Sequence, residues 1–286
     1  MAIDCTCNNT LQNLGAPDCP PVMQIARKFI FVPKYDSNGD LNKILLNDVN
    51  LSNLTTLINA TDPANRYFPT AEMENVEDLR EDPVTQEFNS GKIITVRDGF
   101  RTNTGYIPLG STQELGAYKS YGCAEFGVYV LDNGGNFIYY KDASDPTYAY
   151  PILVDNETFH SMLIKATDAE VQMVMVRWQW KQSMKDQNLR FISSDSLDFG
   201  SEDLRGLYDT TAEYSAISTA GFTVSIETNY DIPVQGITLP DLTLFETTSG
   251  SPVDVTGNIQ SWTETSAGVY ELVFAVAEAS SDTSRS

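Results

Sequence analysis

The stretch EFGVYVLDNGGNFIYYK, residues 125–141, decides the class of this fold. Two apolar runs flank Asn133-Gly134-Gly135. Asn and Gly tolerate the left-handed backbone of a tight connection, so Glu125–Asp132 and Asn136–Lys141 predict a β-hairpin. Working outward, Tyr148–Val154, Thr158–Lys165 and Val171–Lys181 read as further strands. In the last, Val174, Val176, Trp178 and Trp180 fall on one side, the period of two that belongs to a strand. Upstream, Met23–Val32 is β-prone around Phe29, and Lys92–Arg97 alternates with Ile94 and Val96 on one face.

Helical signals are few. Ser111 and Glu114 make a capping box for a helix over 111–121, closed by Gly122. Leu51–Asn59 fits a shorter helix capped by Asn50 or Ser52. The fold class is therefore mainly β: a sandwich or barrel with a flanking short helix, followed by a small C-terminal β-sandwich module. We divide the chain into an irregular N-terminal arm (1–22), a β domain (23–215) and a terminal module (216–286). The acidic stretch Asp195–Ser215 reads as a linker or extended loop. Past it, short strands are expected at Phe222–Glu227, Asp241–Glu246 and Gly268–Ala275.

The chain carries 18 basic and 39 acidic residues, a net charge of −21. Nine acids and one base, Arg285, fall after residue 215, a net of −8 there. Such a balance repels phosphates and argues against gripping nucleic acid. No apolar run approaches bilayer length, so no membrane span is expected. The N-terminus lacks the basic and apolar regions of a secretory signal, which points to folding in the cytoplasm of the producing cell.

Chemistry-bearing motifs are sparse. Asp36, Asn38 and Asp40 imitate a calcium loop, but the glycine is fourth where the EF-hand needs it sixth, so a turn is expected. Cys5, Cys7, Cys19 and Cys123 lack the paired spacing of a zinc site; Cys123 is expected to be a buried thiol. His160, the one histidine, has Ser161 beside it, which a strand would send to the opposite face. Trp178 and Trp180 read as sheet core or subunit contact rather than a stacking platform. We expect no enzyme activity, no catalytic or metal site and no cofactor.

One segment stands apart. Residues 71–82 crowd Glu72, Glu74, Glu77, Asp78, Glu81 and Asp82 together, with Met73, Val76 and Leu79 between them. The spacing fits a frayed helix or an irregular strand, and Pro83 ends it.

The order of strand, acidic segment with Asn75-Val76-Glu77 and Arg80-Glu81-Asp82, strand ending Arg97-Asp-Gly-Phe-Arg-Thr102, short helix and long hairpins resembles virion structural proteins of tailed bacteriophages, especially tail tube proteins. Ser266-Ala-Gly-Val-Tyr-Glu-Leu-Val273 resembles the Gly-x-Tyr segment of appended immunoglobulin-like modules, with Tyr270 at the tyrosine corner. The chain after Phe274 leaves little for a final strand of such a module.

The resemblance implies a homo-oligomer of hexameric rings that stack with other virion proteins in the virion, assembled in the host cytoplasm. DNA would pass without specific binding. Glu72, Glu74, Glu77, Asp78, Glu81 and Asp82 would then occupy an extended loop facing a neighbouring ring or the lumen. Arg80, Arg97 and Arg101 would be their partners in subunit contacts. The alternative is a capsid decoration or adhesion protein that binds a head lattice or cell surface.

Overall fold

The computed structural model of the chain describes residues 22–218, 220–228, 230–246 and 253–275. Cys5, Cys7, Cys19 and the segment after Ala275 lie outside them. The protein is mainly β and separates into two units, residues 1–109 with 121–205, and 110–120 with 206–286.

The first unit contains, in chain order, β1 (Ala26–Pro33), β2 (Ile44–Leu45), α1 (Leu51–Ile58), β3 (Phe68–Pro69), β4 (Glu74–Arg80), β5 (Val84–Glu87), β6 (Ile93–Arg97), β7 (Arg101–Pro108), β8 (Phe126–Asp132), β9 (Phe137–Tyr140), β10 (Tyr148–Ala149), β11 (Ile152–Ile164), β12 (Met173–Trp180) and β13 (Leu189–Ile192). The expected hairpin is β8–β9. Gly135 takes φ +76° at its turn, and the buried Asp132 carboxylate accepts from the backbone N–H groups of Gln24, Gly134 and Asn136.

β1 and β8 form the centre and pair antiparallel along their length. Every residue of β8 is buried, which explains its unbroken apolar run. The far edge of β8 is shared: Val130 and Leu131 pair with β9, while Gly127 and Val128 pair with β11. β11 then leaves β8 and runs along β12, with a register shift between Asp155 and His160. Most of the two strands expected at 148–154 and 158–165 is thus one 13-residue strand that changes partner at an irregularity. β12 pairs with β7, and β7 with β4.

A second switching segment closes the circuit. β3 pairs with β1, and the N–H groups of Thr70 and Met73 donate to the carbonyls of Phe29 and Arg27 at 2.8 Å. From Glu74, opposite Tyr106, the same segment pairs with β7 as β4, with a bulge at Asn75, φ 49°, before Glu77 resumes the ladder. Strands that change sheet at bulges make corners, and here the sheet curls back on β1 as a barrel.

Alternation on β1 feeds two cores. Phe29 and Phe31 point inside, against Phe126, Phe159 and Trp178. Ile30 and Val32 point outside, with Tyr129 and Leu131 of β8, and pack against Leu54 and Ile58 of α1. Burying each such side chain contributes about 1.5–3 kcal/mol. Asn50 caps α1, accepting from the Asn53 N–H at 3.0 Å.

The second unit holds α2 (Thr112–Ser120), β14 (Thr210–Ser218), β15 (Gly221–Thr228), β16 (Phe245–Glu246), β17 (Val253–Asp254), β18 (Ile259–Ser266) and β19 (Val269–Phe274). Its antiparallel sheet runs β14-β15-β19-β18, with β16–β17 a separate ribbon. One face is apolar: Phe222 and Val224 of β15 lie across from Leu272 and Tyr270 of β19, joined by Ile259 and Phe274. Ser111 caps α2, its Oγ accepting from the Glu114 N–H at 3.1 Å.

Several readings are corrected. The helix on the first sheet is α1, which buries Leu54 and Ile58; α2 groups with the second unit and buries only Tyr118. The segment 195–215 is not all loop, because Thr210–Ser218 pairs with β15. Cys123 is exposed, because a 3-10 turn over Tyr121–Cys123 carries it to the surface.

Candidate functional site: a barrel rim and its projecting hairpin

The acidic segment forms the last strand of the sheet, not an extended loop. β4 pairs with β7 at Glu74, opposite Tyr106, and again from Glu77 onward, with Asp78 opposite Asn103 and Arg80 opposite Arg101. Alternation then separates its charges. Asp78 turns towards the barrel end with Val76, while Glu77 and Leu79 point out, and Leu79 is 61% exposed.

Arg80 and Arg101 are engaged within the chain. The Arg101 guanidinium donates to both oxygens of Asp78, its Nε at 2.8 and 2.9 Å, and its Nη1 donates to Asp186 at 3.0 Å. Arg80 pairs with the other Asp186 oxygen. Asp186 thus ties the two arginines together. It opens a polar 3-10 turn over Asp186–Asn188, and no local pattern in the sequence marks it.

The other candidates scatter. Glu72 accepts from Arg27 at 2.6 Å and from Ser201 Oγ at 2.7 Å. The Arg27 hydrogen bond, then that of Ser201, holds its carboxyl below the usual carboxylate range. Glu74, Glu77, Glu81 and Asp82 are exposed and form no ion pair among the described residues. Arg97 lays its guanidinium over the Phe100 ring at 4.3 Å. Lys28, beside Glu72, is buried and donates to the Ser201 carbonyl at 2.6 Å; burial pushes its pKa down.

Between β4 and β7 the chain leaves the barrel as the β5–β6 hairpin, whose strands pair only with each other. At its root Gly99 is required, because a Cβ there would overlap the Glu81 carbonyl oxygen. Its tip is closed by the Phe88 N–H donating to the Lys92 carbonyl at 2.9 Å. A bulge between Val84 and Thr85 leaves Val96 outside the register, so Ile94 and Val96 do not act as one buried face. Instead Ile93 and Val96 are 62% and 57% exposed, and Val84 and Phe88 are exposed with them.

The interior of the rim is a cavity of about 420 Å³. Val76, Val130, Ile138, Ile152, Trp180 and Leu189 supply its apolar wall. Asp78, Arg101 and Asn103 supply its polar side. Asn103 and Trp180 both border it, but Asn103 Nδ2 and Trp180 Nε1 are themselves closed off from its open space, without a hydrogen-bond partner among the described residues.

Elsewhere, His160 is exposed on β11 and Ser161 is buried on the opposite face, so the two do not converge. Trp178 and Trp180 are buried and offer no surface platform. Asp36 closes a turn, its Oδ1 accepting from the N–H groups of Asn38 and Asp40. Among the described residues no group of three or more His, Cys, Asp or Glu is placed to hold a metal ion. No helix among them is long and apolar enough to cross a membrane.

Tyr270 differs from a tyrosine corner. Its hydroxyl donates to the Val234 carbonyl at 2.8 Å, 36 residues upstream rather than a few. It also accepts from the Ile237 N–H at 3.2 Å, while the ring stacks on Trp262 at 4.7 Å.

Comparison with family models, curated proteins and solved structures finds no match to this chain.

Proposed function

We propose that this chain is a virion structural protein that assembles with copies of itself into stacked rings, as a tail tube that conducts DNA. The observation that carries the reading is the β5–β6 hairpin, which stands off the barrel with exposed Val84, Phe88, Ile93 and Val96 and unpaired strand edges. Free edges with apolar side chains invite pairing with another chain, and assembly gives them a use. The bounding strand β4 adds a further edge beside it.

Charge supports the same reading. A net of −21 keeps a passing polyanion from adhering. Glu74, Glu77, Glu81 and Asp82 are exposed and free to face a lumen; Glu72 and Asp78 are spent on intrachain pairs. Ring size, taken as six, and the terminal sheet as an immunoglobulin-like module both rest on the resemblance to tail tube proteins. The protein acts by assembly, without catalysis or cofactor.

Sedimentation velocity and negative-stain imaging across a concentration series test this. Rings or tubes are the expected result. A monomer at every concentration, with an assembly initiator also present, overturns it. Binding only to a capsid lattice would instead make it a decoration protein.

A further inference from the structure

We infer that Asn38 is a self-modification site: its side-chain amide is displaced by the backbone nitrogen of Gly39, and water completes the change to isoaspartate or aspartate. The inference stands apart from the assembly reading.

The chemistry needs an Asn followed by a residue whose backbone nitrogen can swing onto the Asn side chain. Glycine suits best, because it has no side chain to block the approach and the freest backbone. The Gly39 nitrogen gives its proton to solvent and attacks Cγ of Asn38. The new N–Cγ bond closes a five-membered succinimide as the Cγ–Nδ2 bond breaks, and ammonia leaves with the proton. Water then opens the ring. Attack at the side-chain carbonyl leaves aspartate; attack at the backbone carbonyl leaves isoaspartate, with the main chain running through the former side chain. Water is consumed, ammonia is released, and no oxidant or second protein takes part.

The chain holds two Asn-Gly pairs, 38–39 and 133–134, each next to an aspartate. By sequence the two are alike; their surroundings differ. At the second pair both reacting ends are held. The Gly134 N–H donates at 2.9 Å to the carboxylate of Asp132, a residue 1% exposed, which also takes the N–H groups of Gln24 and Asn136. Asn133 Oδ1 accepts from Arg27 Nη1 at 3.4 Å, and its own N–H donates to the Ile25 carbonyl at 2.8 Å. The Gln24 side chain covers Gly134, so that a Cβ there would lie 2.8 Å from its Nε2. Freeing this pair means peeling the start of β1 from the end of β8.

The first pair is open. Asn38 and Gly39 are exposed in the connection between β1 and β2, and nothing lies within 4 Å of the place a Cβ on Gly39 would take. The Gly39 N–H donates to the Asp36 carbonyl at 3.0 Å, and Asn38 Nδ2 reaches Asp36 Oδ2 only at 3.5 Å. Releasing both opens a surface turn and no sheet. Local openings of this kind cost far less than those that breach a core strand. The product alters the turn. Asp36 Oδ1 holds the N–H groups of residues 38 and 40. Isoaspartate at 38 lengthens the backbone between them, and its carboxylate joins those of Asp36 and Asp40, so like charges push the turn open.

Peptide mapping of the full-length chain tests this. The protein is held in mildly alkaline buffer and then digested with trypsin, which places the two pairs in separate peptides, 35–43 and 120–141. Peptide 35–43 should gain the mass difference between a hydroxyl and an amino group, localised to Asn38 by fragmentation. Isoaspartate should be among the products, and in heavy-oxygen water they should carry the label. In the folded chain this peptide should convert roughly tenfold faster, or more, than peptide 120–141. In urea, where neither turn survives, the two rates should converge. Equal rates in the folded chain overturn the inference, as does Asn133 reacting first. So does a folded chain whose Asn38 stays intact over a period that converts it in urea.

Discussion

Phe29 on β1 and Trp178 on β12 meet edge to face with ring centroids 4.8 Å apart, although their strands are not neighbours in the ladder. The contact spans the barrel, so it holds only if β11 and the β3–β4 segment both change partners. Trp178→Ala should lower stability by roughly 3–5 kcal/mol, the usual cost of emptying an aromatic site. Met162→Ala on the exposed side of β11 should stay within about 0.5 kcal/mol. Urea unfolding of the two variants makes the comparison.

The Arg80–Asp186–Arg101–Asp78 cluster is half in solvent, so its worth to the fold is small. Asp186→Asn should change stability by roughly 0–1 kcal/mol, and less as salt is added. Denaturation midpoints at low and high ionic strength read this directly.

Glu72 gives an acid-range signature. Its folded pKa lies below the ordinary value, so the native state binds its proton less readily than the unfolded chain. The stabilisation is complete above the unfolded value of about 4.3 and is lost as pH falls from there through the folded pKa. Glu72→Gln should flatten the melting-temperature profile below pH 5 relative to wild type, with little change in slope above pH 6.

Glu114 has the opposite sign. Burial raises its folded pKa, against a smaller lowering by the Ser111 backbone hydrogen bond. The native state then holds the proton more tightly, and stability falls as pH rises from the unfolded value through the folded one. Glu114→Gln keeps an acceptor for the cap and should abolish this fall, measured by thermal melts between pH 4 and 7.

Tyr270 anchors the segment Val234–Ile237 against the terminal sheet through its hydroxyl. Tyr270→Phe keeps the stack on Trp262 but orphans the Val234 carbonyl. It should cost about 1–3 kcal/mol in the second unit, seen as a lower midpoint for its unfolding transition.

Sequence alone determined what is local. The β8–β9 hairpin, the alternation of β12 and the Ser111 cap each follow from neighbours a few residues apart, where period and turn chemistry act directly. β14 and β18 escaped that reading. β14 exposes every residue along its length, and β18 is rich in Ser and Thr, so neither carries an apolar alternation to detect.

Tertiary structure decided the partners. Whether residues 71–82 formed helix or strand was settled by the open edge of β7 and the bulge at Asn75, not by their own spacing. The pairing of Arg101 with Asp78 and Asp186, and the convergence of Asn103 with Trp180 on one cavity, join residues 23 to 85 positions apart. Such contacts exist only once the sheet has curled closed, because no local periodicity encodes which distant strand a free edge will meet.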